Sequence, residues 1–433
     1  MTDFRPNIAI VGGGLAGLTA AAAVARDGGV PHVFEAAKEV GGRARTRSDG
    51  GYRFNLGPHA LYPGAQRNLR ALGIELPGGH PRVAGVAQLE GRLYRLPATP
   101  WSLIQTRLLG PLDKADFGRV LTNMRRADPA EWHDRTVRDW VGQASERPAV
   151  RSLLTALMRL ATYTNAPDEF SAGAALAQFA EATGVLYIDN GWGTLTGGLR
   201  ERIEAADGSI SSGAKVGGIH PSADGVELAT RDGLLPFDGA VLTGSAREVV
   251  DVLGSAAPAT LRRAADEAVS VRASVLDLGL RRLPRPRRTF GLGIDRPQYL
   301  SVHSAAARGL APEGGATLNV ARYTPVREKP DFGAIETQLK MWAEAVQPGW
   351  SDEVQSRGFF PDLTVMTDFP RAANGGLSAR PAIDAAGIPG VFIAGDWVGP
   401  AGLLSDAATA SGLAAGSAAV AVRSRYKAAV GVA

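Results

Sequence analysis

The sequence predicts an α/β protein: a doubly wound parallel sheet carrying a second, inserted α+β domain. Three observations point there. Residues 8–11, IAIV, form a short unbroken apolar run that breaks into glycine and resumes as an alanine-rich helix. A second strand-like run, PHVFEA, follows at 31–36 and carries an acid near its end. The chain has 433 residues, 45% of them hydrophobic, which is more than one core ordinarily holds.

The opening run reads as a parallel strand because it is apolar without alternation, as a strand buried on both faces must be. Gly12, Gly14 and Gly17 then give G-x-G-x-x-G, with helix from about Leu15 and Ala16. Gly12 permits the tight turn, Gly14 lets backbone approach a pyrophosphate, and Gly17 lets helix and strand pack closely. N–H groups at the helix start, together with its dipole, suit phosphate. Glu35 lies 18 residues beyond Gly17, followed by Ala36. A carboxylate at that place accepts hydrogen bonds from both ribose hydroxyls and disfavours a 2′-phosphate, so a dinucleotide other than NADP is implied.

The bulk numbers exclude other classes. Forty-seven basic residues face 43 acidic ones, a formal charge of +4 that does not indicate nucleic acid. The densest basic cluster, RRLPRPRR at Arg281 to Arg288, reads as a solvated, proline-stiffened connector. Its alternative is peripheral contact with a membrane surface or an acidic partner, which salt would weaken. There is no cysteine, so disulfides, thiolate metal sites and cysteine nucleophiles are excluded, and no metal is expected. MTDFRPN lacks a signal-peptide pattern and the C-terminal apolar stretch is interrupted by Asp406, so a cytoplasmic protein is expected.

The stretch EVGGRARTRSDGGYRFNLGPHALY, 39–62, chooses among dinucleotides. Here the sequence resembles the superfamily of flavin-containing amine oxidases, phytoene desaturases and protoporphyrinogen oxidases. The resemblance implies FAD in a Rossmann-type, glutathione-reductase-like domain. It implies that Arg43 faces the pyrophosphate, with a planar fork suited to paired phosphate oxygens, and that Gly41 and Gly42 let the backbone pass close to the cofactor. Gly57, Pro58 and His59 would lie near the isoalloxazine ring. The likeness returns in GWGTLTGGLRERIEAADGSISSGAKVGGI, which would set Val216 against adenine, and in GVFIAGDWVGPAGLLSDAATASGLAAGSAA. In that last motif Gly395 and Asp396 would end a strand, with Asp396 on the ribityl chain. A helix beginning near Leu403, after Gly402 and with Leu404 following, would aim its N-terminus at flavin N1 and O2. FIAGDWVG and the Ser411–Ala415 pattern look closer to the phytoene-desaturase branch.

Cofactor pieces at the start, middle and end imply one discontinuous FAD domain from 1–72, 184–250 and 366–433. Segments 73–183 and 251–365 would build the substrate domain. The first is expected to be mostly helical, since PLDKADFGRVLTNMRRA, VRDWVGQA and RPAVRSLLTALMRLAT show apolar residues at three- and four-residue spacing. The second shows strand-like alternation in ASVLDLGLRRL and GATLNVARYT, as for a sheet roofing the flavin.

An oxidised flavin takes a hydride from a substrate carbon held over its ring, and the protein positions that carbon and excludes water. Two departures from the resemblance bear on the substrate. Leu403 stands where many amine oxidases place an aromatic ring, and none of the six lysines is a convincing partner for a water at the flavin. The reading is therefore a desaturase or oxidase of a small apolar molecule, C–C to C=C. The alternative is an amine or amino-acid oxidase, C–N to imine, with oxygen or another acceptor taking the electrons. A redox-neutral flavin isomerase, a non-catalytic flavoprotein and an NAD-dependent dehydrogenase stand behind these. His59 is the candidate catalytic group, either as a general base or as a donor to backbone beside the cofactor. Tyr62, His303, Tyr323 and Trp397 are candidate substrate contacts. The oligomeric state is not fixed by the sequence.

Overall fold

The structure is a computed structural model and describes residues 4–82 and 85–430. The extreme ends of the expected segments 1–72 and 366–433 lie outside the described residues.

Asn7–Val11 forms the centre of a five-stranded sheet, flanked by Val30–Glu35 and Gly239–Thr243, with Ser209–Ser212 and Val391–Ala394 outside them. Every pairing is parallel. Numbered along the chain the strands lie in the order 3-2-1-4-5, so the winding reverses between the first strand and Gly239–Thr243. Such a reversal leaves a crevice at the carboxyl ends of the strands, where ligands of doubly wound sheets bind.

The crossover after the first strand is the helix Leu15–Arg26, whose run of alanines combines high helix propensity with a small cross-section. The second property matters here. The last helix, Leu404–Val430, packs against it so closely that a Cβ on Gly412 would sit 2.5 Å from the Ala16 carbonyl. One on Gly416 would sit 2.3 Å from that of Ala20. A three-stranded antiparallel meander, Gly218–Ser222, Gly225–Thr230 and Gly233–Phe237, covers the opposite face through Val226 and Leu228.

The second layer is a seven-stranded sheet. Its long strands Val271–Leu280 and Ala316–Tyr323 occupy the two stretches whose alternation predicted them. One face, with Leu276, Leu278, Leu318 and Val320, is closed by the helix Phe332–Val346 through Leu339 and Trp342. Side chains alternate along a strand, so Ala273, Val275, Ala321 and Tyr323 occupy the other face, where they join a separate apolar cluster. Segment 73–183 is mostly helical, as its periodicity predicts. It also supplies the hairpin Val86–Leu89 and Arg92–Arg95, which enters the large sheet by parallel pairing with Phe290–Gly293.

Two arginines of the basic cluster are committed within the fold. Arg281 and Arg282 converge on Glu353 at 3.0 and 2.7 Å. Among the described residues no helix is long and apolar enough to cross a membrane.

Candidate functional site

A continuous cavity of about 1170 Å³ opens at the point where the winding reverses. At one end lie Gly12, Gly14, Leu15, Ala16, Glu35, Ala36 and Val216. The first glycine motif shows a different constraint at each position. Gly12 has φ of +99°, and a Cβ there would lie 2.4 Å from Thr243 Oγ1. A Cβ on Gly17 would lie 1.9 Å from the Gly12 carbonyl, so its role is close packing and it does not line the cavity. A Cβ on Gly14 would meet nothing within 4 Å, because that position faces the open cleft. Glu35 is tied to the turn itself: its two carboxylate oxygens accept from the Gly13 and Ala37 N–H groups, each at 2.7 Å.

At the middle of the cleft Arg43 donates to Asp396 at 2.7 Å and to the Val365 carbonyl at 2.7 Å. Asp396 also accepts from the Thr367 hydroxyl and from its N–H at 3.1 Å. Burial pushes the Asp396 carboxyl upward, but Arg43 and the Thr367 donors outweigh it and hold the group below the usual carboxylate range. Beside it, burial lowers Arg380 to about 10, against the pull of Asp396 and Asp368. Arg380 donates to the Gly402 carbonyl at 2.8 Å and so fixes the turn before the last helix.

The far end is built of Leu56 to Ala60, Tyr163, Trp192, the sheet residues Ala273, Val275, Ala321, Tyr323 and Leu363, and Leu404 with Ser405. His59 Nδ1 lies 2.9 Å from the Gly57 carbonyl, and its ring meets Trp192 edge-on at 4.7 Å. Burial lowers the His59 pKa, so the ring is neutral at pH 7. Tyr163 and Tyr323 stand edge to face, 6.0 Å between centroids. Leu404 opens the last helix with a φ of +53°, in the left-handed region that costs a side chain energy.

The family described as flavin-containing amine oxidoreductase matches residues 15–419. The chain belongs to that family. Its cofactor is FAD, and it is an FAD-dependent oxidoreductase. An NAD-dependent dehydrogenase is thereby set aside.

Solved structures agree on the fold of this flavoenzyme. An oxidoreductase from Methanosarcina mazei superposes with a TM-score of 0.76 at 16% identity, over 94% of this chain and 99% of that one. A putative protoporphyrinogen oxidase from Exiguobacterium sp. 255-15 gives 0.71 at 16% identity, over 98% and 99%. Cyclohexylamine oxidase from Brevibacterium oxydans IH-35A gives 0.70 at 16% identity, over 98% and 100%. No curated protein sequence matches the chain.

The flavoenzyme's cleft suits its cofactor on two further observations. Gly14 leaves open space where a Cβ would stand. At the opposite end the Ser405 hydroxyl, at the start of the last helix, is buried without a hydrogen-bond partner while its residue lines the cavity.

Of the residues expected at the site, most lie on this cavity, including Gly42, Arg43, Gly57, Pro58, His59, Gly395, Asp396 and Tyr323. Several do not. Gly41 and Gly402 shape turns, with φ of +108° and +64°. Leu403 is 1% exposed and packs in the apolar cluster beneath the large sheet; its neighbour Leu404 faces the cavity. Tyr62 is buried away from the cleft and donates to the Ala161 carbonyl at 3.0 Å. His303 stacks against Tyr187, ring centroids 4.0 Å apart, behind the lining. Trp397 fills the core under the parallel sheet, its indole N–H donating to the Gly244 carbonyl at 2.8 Å.

Sequence reasoning missed Tyr163, Trp192, Thr367 and Arg380. Only Trp192 carried a local signal, since it opens the middle glycine motif.

Proposed function

We propose that the enzyme dehydrogenates an uncharged, largely apolar small molecule, converting a C–C bond to C=C, in the cytoplasm. The observation that carries this reading is the makeup of the far end of the cavity. None of the side chains named at that end is a carboxylate, and burial together with the nearby Arg43 charge lowers the His59 pKa and keeps its ring neutral. An ammonium entering there would lose water without gaining a counter-charge, which is costly, whereas an apolar body loses nothing.

In this reading segments 1–72, 184–250 and 366–433 hold FAD, and 73–183 and 251–365 build the chamber over its ring. Glu35 takes the ribose, the glycine turn and Arg43 take the pyrophosphate, Asp396 the ribityl chain and Val216 the adenine. The start of the last helix, at Leu404 and Ser405, faces the ring. FAD when bound supplies the hydride acceptor, and oxygen or another carrier then takes the electrons. Ala273, Val275, Ala321 and Leu363 exclude water from the substrate carbon. His59 fixes the 57–60 turn beside the ring through its bond to Gly57 and is the proposed polar group nearest the substrate.

A second reading, oxidation of an amine taken up in its neutral form, is favoured by the Tyr163 and Tyr323 pair, two phenol rings walling the same chamber. Anaerobic mixing of the yellow protein with a panel of apolar alkenes and primary amines separates the two. Bleaching by the alkenes supports desaturation. Rapid bleaching by amines alone, with ammonia released and peroxide formed on admitting air, overturns it.

A further inference from the structure

Trp101, Ile104 and Leu112 are exposed by 65%, 66% and 68%, three large apolar side chains within twelve positions. Trp101 and Ile104 share a face of the short helix Pro100–Gln105, a helix that buries none of its residues. Leu112 begins the next helix, Pro111–Met124, and Lys114 of that helix donates to the Ile104 carbonyl at 2.7 Å, joining the two. Capping by Thr99 and Ser102 holds the first helix in shape although nothing covers its outer face.

Basic residues flank this apolar surface along the chain, and Arg95 and Lys114 touch its first helix at Gln105 and Ile104. Arg92, Arg95 and Arg107 are exposed, and Lys114 is half-buried. Among the described residues none of the four forms an ion pair. Arg95 donates to Gln105, and the neighbouring carboxylates are engaged elsewhere: Asp113 with Arg147 and Asp116 with Arg119. Inside the patch Leu96, Leu108 and Leu109 belong to the same apolar cluster as Val275 and Tyr323 of the cavity wall.

We propose that this patch docks the enzyme on an anionic lipid bilayer, with Trp101, Ile104 and Leu112 entering the headgroup boundary and the arginines meeting lipid phosphates. Exposed tryptophan and aliphatic residues flanked by cations without ion-pair partners match that boundary in both hydrophobicity and charge. A second copy of the chain is the poorer occupant, because two-fold contact sets each cationic rim against its own likeness. The Arg281–Arg288 connector is the poorer surface. It presents no large exposed apolar side chain, and two of its arginines are spent on Glu353.

The test is co-sedimentation of the flavoprotein with vesicles of phosphatidylcholine, with and without phosphatidylglycerol, and it involves no turnover, so it is independent of the substrate. The protein is expected to bind the phosphatidylglycerol vesicles and to be released by high salt. Replacing Trp101, Ile104 and Leu112 together by serine should cut binding at least about tenfold. Replacing Arg92, Arg95 and Arg107 by glutamine should cut it about a hundredfold on the anionic vesicles, at about fivefold per charge, and little on the neutral ones. All six side chains are exposed, so both variants should keep their flavin absorbance and melting temperature. The proposal is overturned if the wild type stays in the supernatant with phosphatidylglycerol present, or if the serine variant sediments as it does.

Discussion

Replacing Glu35 by alanine and by glutamine separates two roles that the carboxylate holds at once. One is internal: it accepts from the Gly13 and Ala37 N–H groups and so pins the glycine turn to the end of the second strand. The other is its proposed contact with the ribose, through the lone pairs those bonds leave free. A charge-assisted hydrogen bond contributes about 1.5–3 kcal/mol and a neutral one about 0.5–1.5. Alanine removes both ribose bonds, so FAD affinity should fall by about 3–6 kcal/mol, or roughly 10²–10⁴-fold. Glutamine keeps one acceptor but loses the charge and sets an amide N–H₂ against a backbone donor, so a smaller loss of about 2–3 kcal/mol is expected. The measurement is titration of the deflavinated protein with FAD, followed by quenching of flavin fluorescence. A parallel melt of the deflavinated protein isolates the internal role, since only the two turn bonds act there. Unchanged FAD affinity in both variants would refute the ribose assignment. A lowered melting temperature without a change in affinity would leave Glu35 as a turn-fixing residue alone.

Other perturbations test the same packing and electrostatics. Leu403→Tyr should overpack the apolar cluster and lower stability by about 1–3 kcal/mol in urea denaturation, whereas Leu404→Tyr should leave stability nearly intact and slow flavin reduction by a bulky substrate. Burial lowers the His303 pKa to about 3. Its unfolded form binds a proton near pH 6.5, so its stabilising contribution is present above that pH and is lost as pH falls towards 3, at up to about 1.4 kcal/mol per pH unit. His303→Gln should flatten that acid limb, seen as a smaller fall in urea midpoint between pH 6.5 and 4.5; an unchanged slope would refute the assignment. Gly416→Leu should destabilise by at least about 1–3 kcal/mol, because its Cβ would lie 2.3 Å from a backbone oxygen that cannot yield; a melt within error of wild type would contradict the packing.

What the sequence made legible divides along a physical line. Gly12, Gly14, Gly17 and Glu35 could be read because each obeys a local rule: a turn, an approach, a packing contact and a strand end, at spacings set by one βαβ unit. The large sheet was legible as strands but not by face. Leu276 and Leu278 on one side and Ala273 and Val275 on the other are all apolar, so alternation could not say which row looked into the cavity. Tyr163 and the Arg43–Asp396 pair are products of tertiary assembly, the pair spanning 353 positions, and no short window contains them.

Two side chains lie elsewhere than their motif positions imply. Trp397 follows Asp396 in the turn after the strand Val391–Ala394, and its indole packs in the core and donates to the Gly244 carbonyl. A turn, unlike a strand, sets no alternation of faces from which the side of the indole could be read. Leu403 and Leu404 are exchanged for a related reason. They stand at the start of a helix, where left-handed residues at Gly402 and Leu404 turn the chain, and the φ of +53° at Leu404 brings that side chain to the cavity while Leu403 is buried. Leucine is an unlikely residue for that conformation, so the sequence carries no sign of it. A reading by position in a motif thus failed by one residue where the backbone departs from regular geometry. The strain at Leu404 lies on the cavity wall itself, where a departure from local preference costs stability and shapes the site.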